Sequence, residues 1–405
     1  MRYFFIYCLL FIAARAASQN NIKGKVVHET SGEVIANASI FVNGSTKGTI
    51  SKPDGSFELN GVPAGNHELV VSCVGYATLV LPYTASDLPL NLVVQMKPKV
   101  AELATVVVEP DAKDGWQRWG KFFTESFIGT TYFSEDCKLK NPEVLRFKFS
   151  RKTNILRVVA TEPLIIENKA LGYTIKYQLE EFSFDHNSRM LIYLGYALFE
   201  DIPTNRDGLK RRWEANREKA WNGSIQHFMR SLYLNTLAED GFEVKRLIKT
   251  PNVEKARVRE VMQARVKALR AASGGAPIRI DRGDSADYYN RILKQPDEYE
   301  TVLPALLTAD SVIVAANNEK LLFFLDYLYV TYKKEKEEKE YVAFNLERRE
   351  PYHQRSTVFL PNLTSLIIDS KGNYSPVQEF VSYGYWAWSE KISTMLPLDY
   401  AQKFE

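Results

Sequence analysis

Few of the residues that build catalytic centres are present. The 405-residue chain has five histidines (His28, His67, His186, His227, His353) and three cysteines. His28-Glu29 and His67-Glu68 open like the H-E-x-x-H zinc signature, but Gly32 and Val71 stand where the second histidine belongs. No H-x-x-E with a distant histidine occurs, so the sequence argues against a zinc peptidase, and neither metal nor cofactor is expected. Both pairs lie in strand-like sequence and are expected on its surface. G-x-S-x-G is missing too, since Gly44-Ser45 and Gly223-Ser224 lack the glycine spacing and the strand-turn-helix setting. Gly274-Gly275 follows a helical pattern instead of opening one, which removes the phosphate-loop reading. Charge is nearly balanced, with 52 Lys and Arg against 49 Asp and Glu. Nucleic acid is therefore not an expected partner.

Long apolar runs are equally scarce. Met1 to Ser18 is the exception: Arg2 precedes an apolar stretch from Tyr3 to Ile12, and Ala14-Arg15-Ala16 or Ala16-Ala17-Ser18 supplies small residues for cleavage. We read residues 1–18 as a signal peptide, too short to span a bilayer. Cys8 sits inside its apolar stretch rather than at the cleavage site, which disfavours a lipoprotein. Leu321 to Leu325 is stopped by Asp326 and reads as a buried strand, so no membrane span is expected in the mature chain. Cys73 and Cys137 remain after cleavage. An exported compartment permits a disulfide, but Cys73 stands in a core-like strand beside Gly75-Tyr76, and two buried free thiols are the expectation.

What the sequence does contain is clearest between Ile22 and Met96. Ile22 to Val27, Val34 to Val42, Gly48 to Leu59 and Leu69 to Tyr76 are β-branched, alternating runs separated by Gly, Pro, Asn and Asp, as in an antiparallel sandwich. Pro53-Asp54-Gly55 is a turn: Pro presets φ, Asp bonds nearby backbone and Gly accepts positive φ. Phe57 and Leu59 then share one face. The order of these elements (Ala38-Ser39-Ile40, Gly48-Thr49-Ile50-Ser51, Asp54-Gly55-Ser56-Phe57, Gly65 with His67 and Leu69, Gly75-Tyr76) resembles the carboxypeptidase regulatory-like domain. That resemblance implies a prealbumin-like sandwich serving as an accessory unit, with no catalytic residues of its own.

Residues 19–98 are thus expected to form an all-β prealbumin-like sandwich and 99–115 a linker, with a larger α+β region over 116–405. Leu103 to Val108 resembles an element that follows this domain in TonB-dependent outer-membrane receptors. The remaining chain is too short, and too helical, to supply their plug and barrel. The resemblance implies the envelope compartment without the transport function. Further on, Trp116, Trp119, Phe122, Phe123 and Phe127 space as an amphipathic helix, and Leu145 to Phe199 reads as a strand meander. Arg211 to Glu239 reads as two helices broken at Asn222-Gly223, with Ser224 as N-cap and Asp240-Gly241 as stop. Trp221, Ile225, Phe228, Met229 and Leu232 are expected to form one buried stripe. Val253 to Ala272 reads as a basic helix with a solvated face. Strands are expected over 311–315, 321–332, 342–346, 357–368 and 377–388, with the charge run Lys333 to Glu340 as a loop or frayed strand end and Asp369 to Asn373 as a hairpin turn. Asn141-Pro142, Gly172-Tyr173, Gly223-Ser224 with His227-Phe228, Gly384-Tyr385-Trp386 and Leu396 to Tyr400 resemble an uncharacterised region fused behind this domain in exported bacterial proteins. No known chemistry comes with it.

The most site-like constellation is Trp213, Arg217, Trp221, Asn222, Ser224, His227 and Arg230, because interfaces favour Trp and Arg and ligands stack on exposed indoles. The competing reading makes both tryptophans core anchors. Of the two, Trp213 has no stripe and is the better surface candidate. Taken together, the sequence points to a non-enzymatic, exported binding or assembly module of the bacterial envelope, with an envelope protein or glycan as partner. The alternative is a hydrolase whose active site the sequence does not advertise.

Overall fold

The computed structural model describes residues 20–63, 65–99, 114–273, 284–316 and 319–400. The leader 1–18, the receptor-like element 103–108 and nearly all of the expected linker lie outside them. The first unit has seven strands: β1 (Asn21–His28), β2 (Ser39–Val42), β3 (Gly48–Ile50), β4 (Ser56–Asn60), β5 (His67–Ser72), β6 (Leu79–Tyr83) and β7 (Leu90–Met96). They form two sheets, β4-β1-β7 and β3-β2-β5-β6, closed on a core that includes Ile22, Val26, Ile40, Phe57, Leu69, Val71 and Met96. The first and last strands pair in parallel from Ile22↔Leu90 to His28↔Met96, so the unit ends beside where it began. At the turn, Asp54 Oδ1 accepts the Ser56 N–H at 2.9 Å and Gly55 takes φ 76°. Phe57 and Leu59 are both buried.

A second unit holds β8 (Cys137–Leu139), β9 (Leu145–Ser150), β10 (Ile155–Ala160), β11 (Leu164–Asn168), β12 (Tyr173–Asp185) and β13 (Met190–Asp201). Their order is β8-β11-β12-β10-β9, with β13 also paired to β12. The helix Gly115–Phe127 lays Phe123 and Phe127 into this unit's core. The third unit contains β14 (Phe242–Pro251), β15 (Glu298–Leu306), β16 (Ile313–Ala316), β17 (Glu319–Leu322), β18 (Tyr327–Lys336), β19 (His353–Phe359), β20 (Leu366–Ile368), β21 (Tyr374–Ser375) and β22 (Val381–Gly384). Two sheets, β15-β14-β18-β19-β22 and β16-β17-β20-β21, enclose its core together with the helix Ile225–Leu234. The α+β region therefore has two cores, and the hydrophobic periodicity does not by itself say which residue joins which.

Several expected elements change. Residues 342–346 fall mostly in the helix Lys339–Phe344. The last expected strand divides into the short strand β22 and the helix Tyr385–Ser389. The expected stretch 321–332 is split at Asp326, which takes φ 59°, and 357–368 is split between two sheets. Trp221 belongs to the second unit's core, whereas Ile225, Phe228, Met229 and Leu232 belong to the third. The Asn222-Gly223 break thus divides the expected stripe between cores. His67, expected on the surface, is buried beside Tyr83. Val253–Ser273 is helical, and of Val258, Val261, Met262, Val266 and Leu269, which its spacing places on one face, only Val258 is buried; Lys255 and Arg259 both pair with Asp297, and Arg257 with Glu254. Cys73 and Cys137 are both free, as expected, but only Cys137 is buried and Cys73 is half-buried; burial pushes the Cys137 thiol up to about 12.

The sandwich docks on the second unit. Gly44 N–H donates to Ala197 O at 2.7 Å and Phe199 N–H to Ser45 O at 3.0 Å, so the 43–45 turn adds to β13 much as a further strand would. Phe41 and Val70, which point away from the sandwich core, pack on Leu198. Continuous apolar runs such as Ile40-Phe41-Val42 mark sheets covered on both faces, and this contact is the cover. Asp399 completes it, accepting the Thr46 N–H at 3.0 Å and the Thr46 hydroxyl at 2.6 Å. Asp399→Ala should cost about 1–3 kcal/mol in denaturant melts of the full chain. A loss below about 0.3 kcal/mol would mean that the docking does not depend on this carboxylate.

Candidate functional site

The seven residues singled out above separate into two groups. On the helix Asp207–Trp221, Trp213, Asn216 and Arg217 share one face. They donate in succession to the carbonyls of Lys169 (2.8 Å), Ala170 (2.7 Å) and Leu171 (2.7 Å). Trp213 is only 6% exposed, and its indole lies so close to Gly172 that a Cβ there would come within 2.3 Å of the ring. Arg217 stands 3.9 Å over the Tyr173 ring and pairs with Asp201 at 3.1 Å. The surface reading of Trp213 is thereby corrected. It needs no apolar stripe because it packs on a glycine and on loop backbone instead of on a neighbouring helix.

The other group gathers at the helix break. Trp221 is 2% exposed and stacks on His227 at 5.6 Å. Ser224 Oγ accepts the His227 N–H at 3.0 Å, the expected N-cap, and His227 Nδ1 accepts the Gly223 N–H at 3.2 Å. His227 lies among Trp221, Phe242 and Tyr332, and burial lowers its pKa to about 4. It is a neutral acceptor committed to backbone, unsuited to act as a base. Arg230, half-buried, lies further along the helix Ile225–Leu234 and outside the cavity described next.

At this break, between the second and third cores, lies a cavity of about 180 Å³. Asn222, Gly223 and Ser224 form one wall, while Glu335, Glu338 and Glu390 bring three carboxylates to it. Glu335 accepts from Gln354 Nε2 at 3.3 Å, and Glu338 from the Tyr132 N–H at 2.8 Å. Glu390 Oε1 accepts the Ile225 N–H at 3.0 Å, at the N-terminus of a helix where a negative charge is favoured. Glu337 also lines the cavity but is committed to Arg349 at 2.5 Å and to the Tyr352 N–H at 3.0 Å.

Desolvation dominates the electrostatics. It raises the Glu335 and Glu338 carboxyls above the usual range despite the nearby Lys219. Burial carries Glu390 to about 7, although the Ile225 N–H and Lys391 both oppose the shift. Lys391 itself is lowered by burial to about 8. Gln354 is 6% exposed; its amide group donates to Glu335 and to Lys336 O, and its Oε1 has no hydrogen-bond partner among the described residues. That oxygen lies against Gly223 (φ 73°), where a Cβ would approach it to 2.4 Å. Among the described residues, no three His, Cys, Asp or Glu side chains are grouped to hold a metal ion.

Sequence reasoning reached Asn222 and Ser224 but missed the carboxylates opposite. Lys333 to Glu340 reads as a loop, yet β18 runs to Lys336 and its register against β19 shifts between Tyr332 and Lys336. A bulge resets which side chains point inward, so alternation from Leu328, Val330 and Tyr332 does not predict the buried Glu337. Gln354 did leave a signal. Gln354, Ser356 and Val358 alternate as one buried face of β19, which marks a polar residue facing inward.

The architecture defines a class: a regulatory-type β-sandwich docked on a larger α+β region. Residues 22–108 match the model of the CarboxypepD_reg-like domain and constitute such a domain in this chain. No curated protein matches the chain. Among solved structures, a type II cohesin-X-dockerin complex from Acetivibrio cellulolyticus aligns at 20% identity and TM-score 0.18, over 19% of this chain and 57% of that one. This chain thus spans little more than half of that neighbour's length. A protein of unknown function from Bacteroides fragilis, described as a candidate membrane-associated protein, aligns over 91% of this chain and 95% of its own at 12% identity and TM-score 0.17. A candidate carbohydrate-binding protein from Bacteroides uniformis aligns over 46% and 81% at 11% identity and TM-score 0.16. Scores this low carry no argument about fold or ligand.

Two measurements follow from this geometry. Trp213→Ala and Trp221→Ala should each lose about 3–5 kcal/mol in denaturant melts, as buried large aromatics do; two near-neutral variants would return both indoles to the surface. Glu390 carries a pH signature. Below its ordinary value of 4.5 the folded and unfolded carboxyls are both protonated, and above about 7 both are ionised. Between these limits the unfolded chain ionises while the fold retains the proton, so stability falls as pH rises, by up to about 3 kcal/mol. Glu390→Gln keeps an oxygen for the Ile225 N–H and should flatten that part of the stability–pH curve. Parallel curves for the two proteins would show that Glu390 does not titrate in this window.

Proposed function

We propose that this chain is a non-enzymatic binding module of the bacterial cell envelope, exported after removal of its leader, and that its partner engages the cavity at the Asn222-Gly223 break. The observation that carries this reading is Gln354 Oε1, a buried acceptor with no hydrogen-bond partner among the described residues, in the wall of a cavity large enough for ligand atoms. A buried acceptor left unmade costs about 1–3 kcal/mol, and a bound donor recovers that loss. The volume exceeds the ~10–15 Å³ that one water needs and falls short of the ~300–1,000 Å³ that encloses a whole drug-sized ligand. A side-chain end therefore fits better than an oligosaccharide, which favours an envelope protein over a glycan as partner. Neither His227, committed to backbone, nor the deeply buried Cys137 supplies an activated nucleophile. Among the described residues no helix is long and apolar enough to cross a membrane.

The hydrolase alternative retains one supporting observation, Glu390, whose carboxyl at about 7 suits general acid-base work. A single experiment separates the two readings. Immobilised full-length chain is exposed to envelope extract beside Ala220→Leu, which adds volume to the cavity wall. A binding module retains its partner stoichiometrically and unaltered, and Ala220→Leu releases it. Turnover of glycosidic or peptide material that disappears in Glu390→Gln would establish the enzyme instead.

A further inference from the structure

We propose that the cavity takes the cationic end of an alkylguanidinium or alkylammonium group, a deepening that rests on the cavity being the binding site. The unpartnered Gln354 oxygen, nine-tenths buried, offers an acceptor, and the carboxyls of Glu335, Glu338 and Glu390 become acceptors only once ionised, a state that a bound cation favours. A guanidinium or ammonium offers donors only, in a compact positive group. Aromatic wall is present as well, in Phe133 and Tyr385, and a desolvated cation gains from such faces.

Among the described residues, the cations nearest the cavity meet this demand only in part. Arg349 is taken up by Glu337 and Glu347, both at 2.5 Å. Lys391 Nζ stands over the Tyr193 ring at 5.5 Å, and exposed Lys219 holds its Nζ 4.6 Å from the Tyr132 ring centre and 5.7 Å from that of Phe133. Lys336 lines the cavity but is exposed. Glu335, Glu338 and Glu390 stay raised beside these lysines because burial outweighs both the lysine charges and the hydrogen bonds each carboxyl accepts. Lys219 acts as a tethered counter-ion at the cavity, which an incoming cation displaces or supplements.

The test is calorimetric titration of the full chain at low ionic strength with methylguanidinium and with its neutral isostere N-methylurea. Methylguanidinium should bind at least tenfold more tightly than N-methylurea and lose tenfold or more in Glu335→Gln, which preserves shape and removes charge. Lys219→Ala, a surface change, should tighten it about threefold or more by removing a competing cation. An acetylated, amidated Gly-Arg-Gly peptide binding more tightly than methylguanidinium assigns the group to a polypeptide; equal affinity assigns it to a small free cation. N-methylurea binding as well as methylguanidinium would overturn the cationic ligand while leaving a donor-binding cavity in place. Silence from both probes would overturn the cation proposal, and if Ala220→Leu also retains the envelope partner the cavity itself is not the site.

Discussion

The indole N–H of Trp386 donates to the carbonyl of Gly223 at 2.7 Å, and the Trp386 backbone N–H donates to Ser356 Oγ at 3.0 Å. These two bonds tie the end of the chain to the helix break and to β19. Much else hangs on this joint. Gly223 stands between a helix that ends in the second unit's core and one that begins in the third's. Its positive φ and the closeness of Gln354 and Tyr332 leave no place for a side chain. Had the helix continued through this point, Trp221 and Ile225 would lie one turn apart on the same face, and the two cores would merge or misalign.

Beyond Trp386 the chain fastens the units one after another. Trp388 Nε1 donates to Thr130 Oγ1 at 2.9 Å, and the N–H groups of Ile392 and Ser393 donate to Phe127 O and Ile128 O. The last carbonyls of the helix Gly115–Phe127 would otherwise lack partners. Ile392 enters the second core, Asn168 Nδ2 donates to Ser393 O at 2.9 Å, and Leu398 N–H donates to Gly44 O at 2.6 Å in the sandwich. Some fifteen residues thus touch all three units. The sandwich is docked through backbone hydrogen bonds as well as side chains, so its position is specified by more than surface complementarity.

The cavity is a by-product of that joint and shares its constraints. Walls drawn from the helix break, the end of β18, β19 and the Tyr385–Ser389 helix meet where two cores fail to merge, and polar groups collect there because neither core encloses them. Carboxylates in such a place lose water without losing charge for free. Their raised pKa values and the unmade bond of Gln354 are two expressions of one deficit. Those unsatisfied groups are what the ligand proposed above would engage.

Local chemistry made the sandwich legible. Turn residues, two-residue alternation and the Phe57–Leu59 face all act within a few positions, and each is visible in the sequence. One helix end was legible for the same reason, Ser224 capping the helix Ile225–Leu234; its expected run to Glu239 stops instead at Asn235 in the left-handed region, and Gly241 ends only the separate short helix Leu237–Asp240. Even the doubly covered strands left a trace in Ile40-Phe41-Val42, although nothing in the sequence named Leu198 as the cover. The motifs Gly172-Tyr173, Gly223-Ser224 and Gly384-Tyr385-Trp386, which had no evident chemistry, are joints: Gly172 receives Trp213, and Gly223 receives Trp386. Long-range placement decided the remainder. Only the fold assigns Trp221 and Ile225 to different cores, turns Trp213 from a surface candidate into a buried clamp, and shifts the β18 register so that the acids of 335–338 face Asn222 and Glu390. Periodicity reports which side of its own element a residue occupies. Which other element lies on that side is settled by packing between segments far apart in the chain, and the candidate site is made entirely of such encounters.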